Sequence, residues 1–166
     1  MQTGKSDPRP IVFVDTPRGK FWSPLIRFFE RQLVEGGMVS PADRSIYQIV
    51  RSAEEAARII VQFYTVYHSL RYVGESLVLR LQRPLTDPAL RQLSREFRNL
   101  LRPGTTIHQG KALPAEANEP TLQHLPRLTL QFDRQSYGRL TELIHRVNEL
   151  GQAPETRDGR PETRTA

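Results

Sequence analysis

The apolar positions fall into two patterns that change near the middle of the chain. Ile11 to Val14 is an unbroken apolar run closed by Asp15 and Thr16-Pro17, which predicts a strand buried on both faces, as in a parallel sheet. Ser23-Pro24, a capping residue before a proline at the first helical position, opens a set at Leu25, Phe28, Phe29 and Leu33 that stops at Gly36-Gly37. This predicts a helix with both ends marked. Ile46 to Val50 predicts a second short strand. Ser52 stands three residues before Glu55, a capping box, and the residues up to about His68 are apolar on most faces, which predicts a buried helix. Strand, helix, strand and helix with short connections match the second half of a doubly wound sheet.

From Glu75 onward the period changes. Leu77, Leu79 and Leu81 alternate with Val78, Arg80 and Gln82, predicting a strand in a sheet covered mainly on one side. Asp87-Pro88 opens a helix with Leu90, Leu93, Phe97 and Leu100 on one face, stopped by Pro103-Gly104. A strand near Thr106 to Gln109 precedes a loop rich in Pro, Ala, Glu and Asn. Leu128, Leu130 and Phe132 then predict another half-buried strand, and Leu140, Leu143, Ile144 and Val147 a last amphipathic helix. The layout is β-α-β-β-α over residues 71–150, after a parallel α/β part over residues 1–70. Residues 151–166 carry no periodic apolar set, and disorder is expected there.

Composition narrows the chemistry. A chain of 166 residues without cysteine can bury a real core and excludes disulfides, thiolate metal sites and cysteine nucleophiles. No apolar run is long enough to span a bilayer and the amino terminus has no apolar signal region, so a cytosolic protein with no membrane partner is expected. The net charge of +6, mainly from arginine, favours anionic partners only weakly, and nucleic acid is not the expected one.

Several stretches together resemble one family. QTGKSDPRPIVFVD, GKFWSPLIRFFERQLVEGGMVSPAD and FYTVYHSLRYVGESLVLRLQRPL resemble the carboxyl-terminal half of Rossmann-fold proteins of the Lonely-guy (LOG) type, also described as lysine-decarboxylase-like. KALPAEANEP and LPRLTLQFDRQSYGRLTELI are similar to the extra α/β domain of its longer bacterial members, so the resemblance spans roughly residues 2 to 150. It implies a fold class of α/β, the carboxyl-terminal half of a Rossmann-like sheet followed by the small β-α-β-β-α domain. It also implies nucleotide binding, and hydrolysis of the N-glycosidic bond of nucleoside 5′-monophosphates by full-length relatives, which are commonly dimers.

The family's PGGxGTxxE motif and upstream arginine are absent. Cleaving an N-glycosidic bond builds positive charge on the ribose and needs a carboxylate beside the sugar and donors on the phosphate. Neither can be assigned, so no catalytic residue is named and whether the chain is an enzyme stays open. The expectation is a fragment that binds nucleotide only when the missing half is supplied, as a homo-oligomer or with a complementing chain. The strand Ile11 to Asp15 would otherwise have an unpaired edge.

The candidate ligand-binding residues are Asp15, Tyr67, His68, Ser69 and Arg71. Asp15 ends a presumed parallel strand, the edge where open α/β sheets bind ligands, although an acid before Thr16-Pro17 also reads as a turn residue. Tyr67 to Arg71 ends the presumed helix at a domain junction with Arg71 as the anion contact, while a histidine in a last helical turn is equally explained by the helix dipole. Arg91, Arg95, Arg98 and Arg102 fall at helical spacing as a basic stripe, either a solvated face or the contact surface of a stand-alone module for RNA or another anion. Thr3-Gly4-Lys5-Ser6 lacks the context of a phosphate loop. His108, His124 and His145 have no metal-ligand spacing, Glu54-Glu55 reads as acid at a helix start, and no metal or cofactor is expected.

Overall fold

The structure is a computed structural model that describes residues 7–152. The Thr3–Ser6 segment and nearly all of the expected tail therefore lie outside the described residues. Two sheets are present. Strands β1 (Ile11–Val14) and β2 (Tyr47–Val50) pair in parallel, with Ile11 opposite Tyr47 and Val14 opposite Val50. Between them, helix α1 (Ser23–Phe28) begins after Trp22 with proline in its first turn and runs on as a π-helical segment, Phe29–Val34. Gly37, at φ 70°, reverses the chain before a 3-10 segment, Pro41–Ile46, that Ser40 and Asp43 close as a capping box.

The second sheet has four antiparallel strands in the order β3-β4-β6-β5: β3 (Tyr67–Val73), β4 (Ser76–Leu81), β5 (His108–Gly110) and β6 (Arg127–Leu130). Helices α2 (Ala53–Phe63), α3 (Asp87–Glu96) and α4 (Tyr137–Leu150) complete the fold. Leu70, Leu77, Leu79, Leu81, Leu128 and Leu130 point to one face, where Leu93, Leu140, Leu143, Ile144 and Val147 of α3 and α4 meet them in a single large core. The described chain is thus a mixed α/β protein with a small parallel pair and a four-stranded antiparallel sheet.

Four expectations are corrected. The helix after Ser52 stops at Phe63, and Tyr67–Val73 is a strand, because it pairs with β4 through the two-residue turn Gly74-Glu75, with Gly74 at φ 58°. The second unit is therefore β-β-α-β-β-α. Helix α2 is not buried all round: Ala56, Ile59 and Phe63 are inside, but Val61 is 70% and Ile60 44% exposed. Strand β1 is not covered on both faces, since only one strand flanks it and Val14 is 46% exposed. Strand β4 is covered on both faces, with Val78 and Arg80 buried, because residues 111–125 fold over the second face as a strap.

The parallel part is anchored to α4 by a close backbone approach. A Cβ added at Gly138 would lie 2.5 Å from the Ala42 carbonyl and 2.6 Å from the Asp43 nitrogen, and Ser45 Oγ donates to Gly138 O at 2.9 Å. The Gly138→Ala variant is expected to push residues 40–46 off α4 and to cost about 1–3 kcal/mol, the usual penalty of overpacking. Urea unfolding measures the loss, and faster amide exchange confined to residues 40–46 locates it.

Candidate functional site

Most of the sequence-predicted residues lie on or beside one surface, the face of the antiparallel sheet turned away from the core. Strand alternation puts Ser69 and Arg71 of β3, Arg80 of β4 and Arg127 of β6 on that face, with Ser69 opposite Arg80 and Arg80 opposite Arg127. His68 sits at the irregular step between the paired residues Tyr67 and Ser69, which brings its ring to the same side, Nδ1 2.8 Å from Ser69 Oγ. His68 is therefore a strand residue, and its neighbours are guanidinium groups, not a helix terminus. Burial first, then the positive charges of Arg80 and Arg127, hold its pKa below the ordinary histidine value.

The strap supplies the counter-charges. Glu116 is fully buried and accepts from Arg80 (Nε 2.9 Å, Nη2 2.8 Å), from Arg127 Nε (3.0 Å to Oε2) and from the Leu113 amide (3.1 Å). Glu119 bridges Arg71 Nη1 and Arg80 Nη1, each at 2.7 Å. Arg127 further donates to the carbonyls of Leu125 (2.5 Å) and Leu122 (3.0 Å). Burial pushes the Glu116 carboxyl up, but the Arg127 hydrogen bond, the Leu113 amide and Arg80 outweigh it and bring the pKa down to about 2. Three guanidiniums facing two carboxylates leave an excess of positive charge under the strap.

Tyr67 does not join this surface. It is buried on the core side, in edge contact with Phe63 at 5.5 Å, and burial raises its pKa, so it acts as a packed aromatic. Asp15 belongs to the other sheet. It lies at the carboxyl end of β1, with Oδ1 accepting from the Thr16 amide at 2.9 Å and Oδ2 3.4 Å from Arg51 Nη1. Arg51 donates to Gly19 O at 2.5 Å and Trp22 Nε1 to Val14 O at 2.9 Å, so Asp15 organises the turn after β1 and brings Arg51 to the carboxyl edge of the parallel pair.

The basic stripe is only partly continuous. Helix α3 ends at Glu96, so Arg91 and Arg95 are on the helix, Arg98 is on the 3-10 turn Arg98–Leu100, and Arg102 lies beyond it and pairs with Glu75 at 2.6 Å. Glu116, Arg80 and Arg127 were not singled out from sequence. The available signal was an arginine on each of two strands, with acids in the loop that precedes the second of them. No group of three or more His, Asp or Glu side chains is placed to hold a metal among the described residues.

Comparison with known proteins bears on the parallel part. Residues 1–60 match the family model described as "Possible lysine decarboxylase". The match covers β1, α1, β2 and most of α2 and supports the LOG resemblance over that stretch; it ends before β3. No curated protein and no solved structure matches the chain.

Proposed function

We propose that the chain is the carboxyl-terminal part of a LOG-type nucleotide-binding protein, in which β1 and β2 are completed by further parallel strands that carry the PGGxGTxxE motif. The observation that carries this reading is the distribution of exposed apolar surface. Among the described residues, Val14, Phe21, Phe28, Met38, Ile49, Ile60, Val61 and Tyr64 are the exposed large apolar side chains, and all lie in the parallel part. Val14 and Ile49 lie on the strand pair and the others on α1, α2 and their connections, the pattern expected where further strands and helices would cover them. The family match to residues 1–60 supports the same reading.

On this reading the ligand edge is the carboxyl end of the parallel pair, where Asp15 and Arg51 meet beside the Ser52-capped start of α2. Arg71, held by Glu119, lies on the other sheet and would contact an anion only if that ion pair opens. The chain's own residues bind and position; bond cleavage is assigned to the complementing strands. No described helix is long and apolar enough to cross a membrane.

Two measurements test this. The purified chain is expected to release no base from nucleoside 5′-monophosphates, because no carboxylate is placed beside a sugar site. Co-expression with a segment carrying the first Rossmann strands and PGGxGTxxE is expected to give a co-purifying complex that binds nucleoside monophosphate. Base release by the isolated chain that tracks with the protein through purification would sink the proposal, as would failure of the two segments to associate.

A further inference from the structure

We infer that the cleft between α3 and the Thr106–Ile107 segment binds a small organic phosphate, independently of any nucleotide at the parallel sheet. The cleft holds about 570 Å³, within the range of small-molecule sites. Its walls combine Arg91, Ser94 and Arg95 of α3 with Thr106, over a floor formed by Leu90 and the buried Ile107.

The charge pattern selects an anion. Arg91 and Arg95 are four residues apart on one helix, hence about 6 Å between Cβ atoms, close enough for both guanidiniums to reach one phosphate. Neither forms an ion pair among the described residues, whereas Arg102 pairs with Glu75 and Arg146 with Glu96 and Glu149. Glu96, the acid next to Arg95, has its carboxylate on Arg146 and Gln92. Glu96 is thus matched to other partners, Asp87 at the start of α3 pairs with neither arginine, and the two cleft arginines form no ion pair among the described residues.

The hydroxyls narrow the ligand further. Thr106 Oγ1 lies 3.1 Å from Ser94 Oγ, so one hydroxyl donates to the other and the acceptor keeps its own O–H for a ligand oxygen. Two guanidinium forks and a hydroxyl match the oxygens of a phosphate dianion better than the two oxygens of a carboxylate. Leu90 and Ile107 give the organic body an apolar surface. The cleft lining has no aromatic ring on which to stack successive bases, which disfavours single-stranded RNA.

Titration of the full chain with phenyl phosphate, followed by calorimetry and by the arginine Nε–H resonances, tests the site. Saturable binding is expected, weakened about tenfold by R91Q or by R95Q and abolished in the double variant. Benzoate and inorganic phosphate, each lacking one half of the ligand, are expected to bind more weakly than phenyl phosphate. Both arginines are exposed, so an unchanged urea midpoint will show that the variants fold. Absence of saturable binding, or binding indifferent to both substitutions, overturns the assignment. So does an RNA oligomer that binds through Arg91 and Arg95 while phenyl phosphate fails to compete. Failure here leaves the parallel-sheet reading intact, because that test uses a different edge and a different ligand.

Discussion

Replacing Glu116 with alanine is expected to destabilise the protein by about 3–5 kcal/mol, the range for breaking a buried ion pair by removing one partner. The cost arises from what is left behind. Arg80 is 4% exposed and Arg127 fully buried, and they stand opposite each other on adjacent strands. With the carboxylate gone, two guanidiniums face each other in a site that water does not reach, and only Glu119 remains to neutralise Arg80. The strap also loses its main attachment, since Glu116 joins the Leu113 amide to both arginines. Urea unfolding measures the loss. Glu116→Gln, which keeps the shape and part of the hydrogen bonding, is expected to lose less. A Glu116→Ala midpoint matching the parent would mean that the strap contributes little to the fold.

The same group fixes an acid limit. Its folded pKa of about 2 lies below the usual glutamate value of about 4.3, so its stabilisation is present above that value and is lost as pH falls toward 2. His68 and His145 act at higher pH. Both are held below the ordinary histidine value, chiefly by burial, so the unfolded chain takes up protons first. Their effect is to lower stability as pH drops below about 6.5. Stability should therefore fall in two stages on acidification, and Glu116→Gln should remove most of the lower one.

Periodicity made β1, β4, β6, α3 and α4 legible because each packs at least one face or one stripe against the rest of the chain. It failed where a different part of the molecule decides the outcome. The apolar pattern continues from Ile59 through Tyr67, interrupted only by Gln62 and Thr65, and a helix through that segment satisfies it locally. Strand β3 forms there because Leu70 and Tyr72 pair with Leu79 and Leu77, an arrangement announced only by the turn Gly74-Glu75 between alternating runs. Arg80 read as a solvent-facing residue because nothing periodic marks the strap that buries it. Its partner, Glu116, lies in a loop whose composition is that of any surface connection. The charged surface of the candidate site was thus half visible. Ser69 and Arg71 could be picked from the YHSLRYV run, but the arginines and acid that set their electrostatics come from β4, β6 and the strap.

The junction between the two parts of the chain is expected to depend on a single side chain. Asn148, 2% exposed on α4, accepts from the amides of Val66 (2.8 Å) and Tyr67 (3.0 Å) and donates to the carbonyls of Phe63 (2.7 Å) and Ile144 (3.0 Å). It thereby satisfies the end of α2 and the start of β3 at once, which is where the helix reading failed and the strand begins. Asn148→Ala leaves two buried amides and the Phe63 carbonyl without this partner, at about 1 kcal/mol or more each, so a total near 3 kcal/mol is expected. Asn148→Asp separates the two halves of that role. The carboxylate still accepts from Val66 and Tyr67, but it is buried, and while ionised it cannot donate to Phe63. Burial and the facing carbonyls of Phe63 and Ile144 are expected to raise its folded pKa against the pull of the two amides, so protonation favours the folded state. Its deficit relative to the parent should therefore shrink as pH falls from 7 toward the ordinary aspartate value of about 3.9. The Asn148→Ala deficit should stay constant over the same interval. Equal pH dependence of the two variants would show that the donor half of Asn148 is dispensable, and the break between α2 and β3 would then rest on the β3–β4 pairing alone.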